Sequence, residues 1–216
     1  MKNNLGLVEY CKAQLGFPYW WGTFGQVATE GLLRQKSAQY PAYYKDDDFK
    51  TQYGKRVHDC VGLIKGYMWC DTPTSVPKYN VAQDKNVSGM LSSCSKYGNI
   101  GTMPDIKGVL VFMSGHVGIY IGDGKVIEAR GHKYGVVETN LKDRNWTKWG
   151  LLDWIDYVDE KVIELFKDGE ELKALDYLVE TGRITNKEQA LKKLAVVKNE
   201  NWYLIKWAND VKALLG

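Results

Sequence analysis

The sequence predicts an α+β fold in which helices pack on a central antiparallel β-sheet and a small all-α region follows. Apolar residues recur at helical spacing near the start of the 216-residue chain and again after Cys60. From residue 109 to residue 157 the pattern changes to short apolar or alternating runs separated by glycines, which is typical of antiparallel strands joined by tight turns. Helical spacing returns after residue 158. We therefore predict two domains, 1–158 and 159–216.

The individual elements are predicted from their apolar spacing and their stop signals. A helix of about three turns follows two possible asparagine caps at positions 3 and 4 and ends before Gly16. A helix near residues 25–38 lies in a long, Tyr-rich segment that we expect to arch over another part of the fold. A third helix begins at Cys60, and a short one is expected near residues 88–96. The predicted strands are residues 109–113, 117–121, 125–129, 135–139 and 152–157.

Composition and charge restrict the classes of partner. The net charge is +3, from 29 basic and 26 acidic residues, and no block of Lys and Arg resembles a nucleic-acid-binding stripe, so we expect no nucleic-acid partner. The positive surplus lies in residues 1–158 and modestly favours an anionic substrate. The 8 Trp and 14 Tyr residues either form a surface for planar or sugar-like ligands or fill the core.

The four cysteines show no C-x-x-C spacing and only three histidines accompany them, so we predict free thiols and neither a metal nor an organic cofactor. The first ten residues lack the apolar core of a secretory signal, and no stretch of 18 apolar residues could span a membrane. We expect synthesis in the cytoplasm without a membrane partner, and any export to depend on another agent.

A cysteine and a histidine indicate acyl-transfer chemistry. Cys60 lies at the predicted start of a helix, where backbone donors are expected to lower the pKa of its thiol, and His116 opens a β-rich strand after Gly115. Gly115 and Gly118 would remove bulk where a substrate backbone approaches. The pair therefore predicts a thiol nucleophile and its base. We interpret His58, two residues before Cys60, as an exposed polar residue.

A third polar group depends on the length of one turn. If Gly122, Asp123 and Gly124 form a three-residue loop, Glu128 lies diagonally beside His116 and can orient its ring. A two-residue turn at positions 123 and 124 would turn Glu128 to the opposite face. His132 is then the alternative orienter, and it could also contact the substrate.

These residues resemble the signature of the NlpC/P60 family of papain-like cell-wall cysteine peptidases. The matching segments are Pro18 to Gly22, Asp59 to Leu63, Lys107 to Phe112 and His116 to Gly122, within residues 5–157. The resemblance implies a papain-like fold with Cys60 as nucleophile, His116 as base and Glu128 as the third residue. Tyr19, Trp21 and Asp59 are expected to hold the oxyanion or the substrate.

The sequence departs from the family pattern at Glu128, where His, Asn or Gln is more usual, and in an unusually long segment between Trp21 and Cys60. Family members cleave peptide stems of bacterial peptidoglycan, often between D-glutamate and diaminopimelate or lysine, and include phage lysins. The resemblance thus implies an endopeptidase acting on the cell wall after phage- or lysis-associated release. The alternatives are a CHAP-type N-acetylmuramoyl-L-alanine amidase and a non-catalytic cell-wall-binding module.

The region 159–216 has two interpretations. Leucines at helical spacing and the capping box Thr185-x-x-Glu188 predict helices, but a unit this small has little core of its own and could be an extension packed on the first domain. Exposed aromatic residues such as Trp202 and Tyr203 would suit attachment to the cell wall. The helical spacing of the apolar residues around Trp207 places it on the buried face of its predicted helix.

Overall fold

The computed structural model describes residues 2–158 and 171–181, which fall into two compact units, Lys2–Ile155 and the residues from Asp156 onward. The first unit has the predicted mixture of helices and antiparallel sheet, so the α+β assignment is confirmed. Its helices are α1 (Asn4–Ala13), α2 (Glu30–Gln39), α3 (Cys60–Trp69) and α4 (Val87–Ser92). In the second unit, the described helix is α5 (Glu171–Glu180), in which Ala174, Leu175 and Leu178 are buried.

The strands form two sheets. A small antiparallel pair is made of β1 (Phe24–Val27) and β2 (Arg56–His58). The main sheet has six antiparallel strands in the order β3-β8-β4-β5-β6-β7. Its strands are β3 (Cys94–Asn99), β4 (Leu110–Met113), β5 (His116–Gly122), β6 (Lys125–Ala129), β7 (Val136–Asn140) and β8 (Lys148–Leu152).

Helix α3 is the centre of the first unit and packs on β5 and β6, on α1 and on β1. Its N-cap is Asp59, whose carboxylate accepts a hydrogen bond from the Gly62 amide. A Cβ atom at Gly62 would lie 1.8 Å from the carbonyl oxygen of Thr23, and one at Gly66 would lie 3.1 Å from that of Phe24. These two glycines, one turn apart, let the helix backbone approach the segment that leads into β1.

The first helix follows the prediction. Asn3 is its N-cap and accepts a hydrogen bond from the Gly6 amide, and Gly16 adopts a φ of 80° beyond its end. In the long segment that follows, the predicted helix is shorter than expected, because Gly25 has a φ of 102°, which a right-handed helix does not permit, and residues 24–27 form β1 instead. Thr29 caps α2.

The segment after α2 folds back onto a small apolar cluster. Trp20, Ala28, Phe49 and Val57 are its buried members, and Leu32, Leu33 and Tyr44 pack against them. The Tyr-rich stretch is therefore held by a core of its own, and short 3₁₀ turns at Pro41–Tyr43 and Asp47–Gln52 shape it.

Two strands differ from the prediction. β3 occupies residues where a helix was expected to continue, and β8 is Lys148–Leu152 rather than 152–157. β3 is a polar, largely exposed edge strand, so it lacks the apolar alternation used to recognise strands. In β8 the pattern is interrupted by Gly150, where a Cβ atom would lie 2.5 Å from the sulfur of Cys94.

Within the described residues, none of the helices has both the length and the apolar character required to cross a membrane. The predicted capping box Thr185-x-x-Glu188 and the aromatic residues Trp202, Tyr203 and Trp207 lie outside the described residues. All four cysteines are free thiols, as predicted.

Candidate active site

Cys60 is the first residue of α3, and its side chain is almost entirely buried. Burial raises the pKa of its thiol to about 12, and the neighbouring Asp59 carboxylate adds to this effect. The backbone amides of Val61, Val117 and Cys60 itself act in the opposite direction and do not outweigh burial. The expectation of a lowered pKa is therefore wrong for this state, in which the sulfur carries its proton at neutral pH.

The contact with the Val117 amide places the sulfur of Cys60 beside the residue that follows His116. His116 opens β5 opposite Met113 of β4, and its imidazole stacks on the indole of Trp146 with 5.7 Å between ring centres and an interplanar angle of 16°. The two residues singled out by the sequence, 56 positions apart, thus lie at one place in the fold, where α3 meets the start of β5.

Glu128 of β6 contacts the other side of the imidazole. Its Oε2 atom accepts a hydrogen bond from Nε2 of His116 at 2.7 Å. The expected neighbour of His116 is therefore found, and the Nδ1 atom is the imidazole nitrogen that this bond leaves for other partners.

The register of β5 and β6 that produces this contact depends on a β-bulge that the sequence did not indicate. Asp123 and Gly124 form a two-residue turn with φ values of 51° and 67°, and Gly122 pairs with Lys125. A bulge between Tyr120 and Gly122 then shifts the ladder by one residue, so that the remaining pairs are those of a three-residue loop. The bulge keeps Glu128 on the face of His116.

Glu128 is fully buried and saturated with hydrogen bonds. Thr139 donates to its Oε1 atom at 2.8 Å, and Arg144 donates through Nε to Oε1 at 2.9 Å and through Nη2 to Oε2 at 3.0 Å. Burial on its own raises the pKa of this carboxyl, but the hydrogen bonds from His116, Arg144 and Thr139 outweigh it and hold the pKa below its ordinary value. The side chain is therefore an ionised carboxylate.

Thr139 and Arg144 were not predicted from the sequence. Thr139 lies diagonally across from Glu128, because Glu128 pairs with Val137 of β7, so pairing β6 with β7 would have found it. Arg144 lies in the irregular stretch between β7 and β8, where no periodicity places a side chain.

His132 is not the orienter. Its Nε2 atom bonds to Oδ1 of Asp48 at 2.7 Å, and its ring packs on Phe49 with 4.2 Å between centres. His132 therefore contacts the Tyr-rich segment rather than His116, because β6 ends at Ala129 and the chain turns away before residue 132.

Asp59 and Tyr19 frame the cysteine. The carboxylate of Asp59 accepts from the amides of Gly62 and Gly22, so it joins the helix start to the aromatic segment and its two oxygens are occupied by backbone donors. The backbone of Tyr19 forms an isolated parallel β-bridge with that of His58 in β2. Burial raises the pKa of the Tyr19 hydroxyl, and the negative charge of Asp59 raises it further.

Trp21 lies beside this frame and stacks on Tyr43, with 3.9 Å between ring centres and 7° between ring planes. Its carbonyl oxygen accepts a hydrogen bond from the Tyr44 hydroxyl at 2.7 Å. The long segment between Trp21 and Cys60 thus returns to the aromatic residues that precede it.

His58 is fully buried, so its interpretation as an exposed residue is wrong. Its Nε2 atom bonds to the Tyr10 hydroxyl at 3.0 Å. Gly118 also has a different role from the expected one, because a Cβ atom there would lie 3.0 Å from Trp146, so this glycine makes room for the indole. Gly115 does face open space.

A thiol at a helix start, a histidine on the adjoining strand and a carboxylate bonded to that histidine define the class of site found in cysteine hydrolases. Residues 46–154, half of the chain, match the model of the NlpC/P60 family, and the chain belongs to this family of cell-wall cysteine peptidases. The matched range contains Cys60, His116 and Glu128. No curated protein matches the sequence significantly.

Solved structures of low identity resemble the chain. NlpC2 from Trichomonas vaginalis is 13% identical, with 73% of this chain and 48% of that chain covered and a TM-score of 0.44. The P60 domain of an antigen from M. avium subspecies paratuberculosis is 18% identical, with coverage of 71% and 96% and a TM-score of 0.45. The peptidoglycan hydrolase RipB from Mycobacterium tuberculosis is 19% identical, with coverage of 70% and 67% and a TM-score of 0.40. The chain thus spans about half the length of the first of these.

Proposed function

We propose that this protein is a peptidoglycan hydrolase that cleaves an amide bond in the peptide stem, with Cys60 as nucleophile, His116 as base and Glu128 as the group that orients the base. The observation that carries the proposal is the hydrogen bond between His116 and Glu128 next to a buried thiol at a helix start. Membership of the NlpC/P60 family supports the substrate class.

The reaction begins with proton transfer. Because the pKa of the Cys60 thiol is raised to about 12, His116 acts as a general base during attack and does not hold a preformed thiolate. The Nδ1 atom of His116 takes the thiol proton while the sulfur bonds to the carbonyl carbon. The Cys60 amide and the Tyr19 hydroxyl are the donors for the resulting oxyanion.

The second half releases both products. His116 gives its proton to the departing amine as the C–N bond breaks, and a thioester to Cys60 remains. His116 then takes a proton from water, whose oxygen attacks the thioester. As the C–S bond breaks, His116 returns that proton to the sulfur, which releases the carboxylic acid and restores the thiol. Throughout these steps the carboxylate of Glu128 accepts the hydrogen bond from Nε2 of His116 and so holds the ring in one tautomer.

The scissile bond is proposed to be that between D-glutamate and diaminopimelate or lysine, as the family resemblance implies. Mass spectrometry of digested cell walls tests this assignment. An endopeptidase of this type leaves L-alanyl-D-glutamate on the muramic acid, whereas the alternative amidase releases the whole stem.

Substitution of the nucleophile tests the chemistry itself. We expect Cys60→Ala to lower stem-peptide release at least about a thousandfold. Cys94→Ala is the matched control, since Cys94 is another buried free thiol with a raised pKa and lies outside the site. Hydrolysis that survives in Cys60→Ala would refute the proposal.

One observation favours a second candidate, a cell-wall-binding module without activity: Cys60 is only 6% exposed. Alkylation separates the two functions. If His116 accepts the proton, iodoacetamide modifies Cys60 at neutral pH, and His116→Ala slows the reaction at least about tenfold. Cys11, Cys70 and Cys94 provide internal controls by peptide mapping. Equal rates in both proteins would favour the binding module.

A further inference from the structure

Arg144 contacts the candidate site directly at Glu128. Its Nε and Nη2 atoms donate to the two oxygens of that carboxylate at 2.9 and 3.0 Å, which is the paired geometry of a strong guanidinium-carboxylate contact. The carboxylate has no exposed surface, while the Arg144 side chain is 22% exposed. Arg144 and His116 therefore both bond to this carboxylate, and its Oε2 atom accepts from each of them.

A buried carboxylate bonded to an imidazole favours the charged imidazolium, because the opposite charges attract strongly where water is excluded. A base that must both take and release a proton is hindered when one of its forms is held too tightly. A guanidinium paired with both oxygens of the carboxylate cancels its charge, while Oε2 still accepts the N–H of His116.

A second contact links Arg144 to the ring of His116. The guanidinium lies 5.8 Å from the centre of Trp146, and Trp146 stacks on the imidazole. The short stretch from residue 144 to residue 146 thus supports the imidazole at its edge through Glu128 and on its face through the indole. Gly118 provides the space for this indole.

We propose that Arg144 is a positioning residue that makes Glu128 act on His116 as an oriented hydrogen-bond acceptor of little net charge. The proposal rests on the proposed function of His116 as the base. It adds a residue of this chain outside the Cys-His-Glu set, acting on His116 through Glu128.

The other groups that could change the titration of His116 are few. Helix α3 presents Cys60, with Asp59 beside it, and β4 (Leu110–Met113) has no titratable side chain. Helix α1 meets the far end of β5, where Gly108 lies between Asn4 and the Tyr120 carbonyl. Continuing the pairing of Ile119 with Ile127 brings Arg130, the residue after β6, opposite His116, and its guanidinium packs on Tyr134. Glu128, which bonds to the ring, and Arg144, which bonds to Glu128, are the charged pair at the ring edge.

The test is an NMR titration of the histidines in the full-length Cys60→Ala protein, which does not depend on hydrolysis. The chain has only three histidines, so His58 and His132 serve as internal references. We expect Arg144→Met to raise the midpoint of the His116 titration by about one pH unit, because the carboxylate is then no longer neutralised. An unchanged midpoint would overturn the proposal.

Three variants separate charge from architecture. Arg144→Lys keeps the charge and should hold the midpoint near that of the parent protein. The double variant Glu128→Gln with Arg144→Met removes both charges and should also return the midpoint, which a merely structural role of Arg144 would not produce. Lys125→Met is the matched control, since Lys125 lines the same 290 Å³ cleft and pairs with Glu138 instead.

Rescue by a small cation provides a second readout. Arg144 lines this cleft, so guanidinium added at millimolar concentration should reach the carboxylate in Arg144→Ala and lower the His116 midpoint again, with no effect on Lys125→Ala. The proposal would be overturned if Arg144→Ala had the same His116 midpoint as the parent protein and guanidinium did not change it. If the wild-type protein releases no stem peptide while the midpoints shift as expected, the proposed function fails and the role of Arg144 stands.

Discussion

His58 shows how burial determines chemistry at the level of a single side chain. His58 is two positions from Cys60 and has the same chemistry as His116, yet it is enclosed between α1 and β1 with no exposed surface. Burial, with a smaller effect from the Arg56 charge, lowers the pKa of His58 to about 3. His58 is thus a neutral structural residue at the pH where His116 is proposed to act.

This depressed pKa predicts a loss of stability in acid. Between pH 6.5 and pH 3 the unfolded chain binds a proton at His58 that the folded chain does not bind, so the free energy of unfolding falls as the pH decreases through this window. We expect a loss of about 2 kcal/mol at pH 5 relative to pH 7.5. Urea unfolding at the two pH values measures it.

The variants isolate the imidazole as the cause. His58→Gln should remove most of this difference between the two pH values, whatever its effect at neutral pH. Tyr10→Phe deletes the hydroxyl partner at 3.0 Å but keeps the imidazole, so the difference should persist. A difference that is as large in His58→Gln as in the parent protein would contradict the assignment.

At the scale of elements, the packing of α3 depends on the absence of a side chain. The Gly62 Cα is so close to the Thr23 carbonyl that no Cβ atom fits without moving backbone. Asp59, one residue before the helix, also binds the Gly22 amide, so the same few residues fix the helix to the aromatic segment. The Asp-Cys-x-Gly spacing therefore has a packing reason in addition to a chemical one.

Gly62→Ala is expected to destabilise the fold by about 3 kcal/mol or more, because helix and strand segment must separate to admit the methyl group. Gly31→Ala in α2 is the control: its Cβ would meet its nearest neighbour at an ordinary 3.9 Å, and alanine favours helix, so stability should stay equal or rise by up to about 1 kcal/mol. Thermal unfolding compares the two, and similar midpoints would contradict this account of the glycine.

Elements with strong local sequence signals were predicted correctly, and elements with weak signals were not. α1 and α3 have caps, apolar faces and clear ends, and both were found. β3 and β8 were missed or misplaced because an exposed edge strand and a glycine-interrupted strand lack alternation. Glu128 was found through hairpin geometry although the turn is shorter than assumed, since the bulge compensates by one residue.

For the whole molecule, the local context of Cys60 and His116 and the family resemblance paired the two residues, but their proximity itself depends on how α3 packs on the sheet. Arg144 and Trp146 show the limit of that approach. Both come from an irregular stretch whose position is determined by the finished fold, and no periodicity or motif indicates their contacts with Glu128 and His116.

The division of the chain into two units leads to a last prediction. Every group proposed to take part in the reaction lies in Lys2–Ile155, which is a compact unit with its own sheet and core. A chain ending at residue 158 should therefore cleave a soluble synthetic stem peptide with a kcat/KM within about threefold of the full-length protein. Loss of folding on truncation, seen by circular dichroism, would show that the helical region is a packing extension.

The same truncated chain tests wall attachment by the region from residue 159 onward. If that region binds the cell wall, the truncated protein with Cys60→Ala should sediment with purified walls far less than the full-length Cys60→Ala protein, while its soluble-peptide affinity stays the same. The inactive background keeps the walls intact during the assay, so sedimentation reports binding alone. Equal sedimentation of the two proteins would assign wall binding to the first unit, whose stacked Trp21 and Tyr43 then become the residues to substitute.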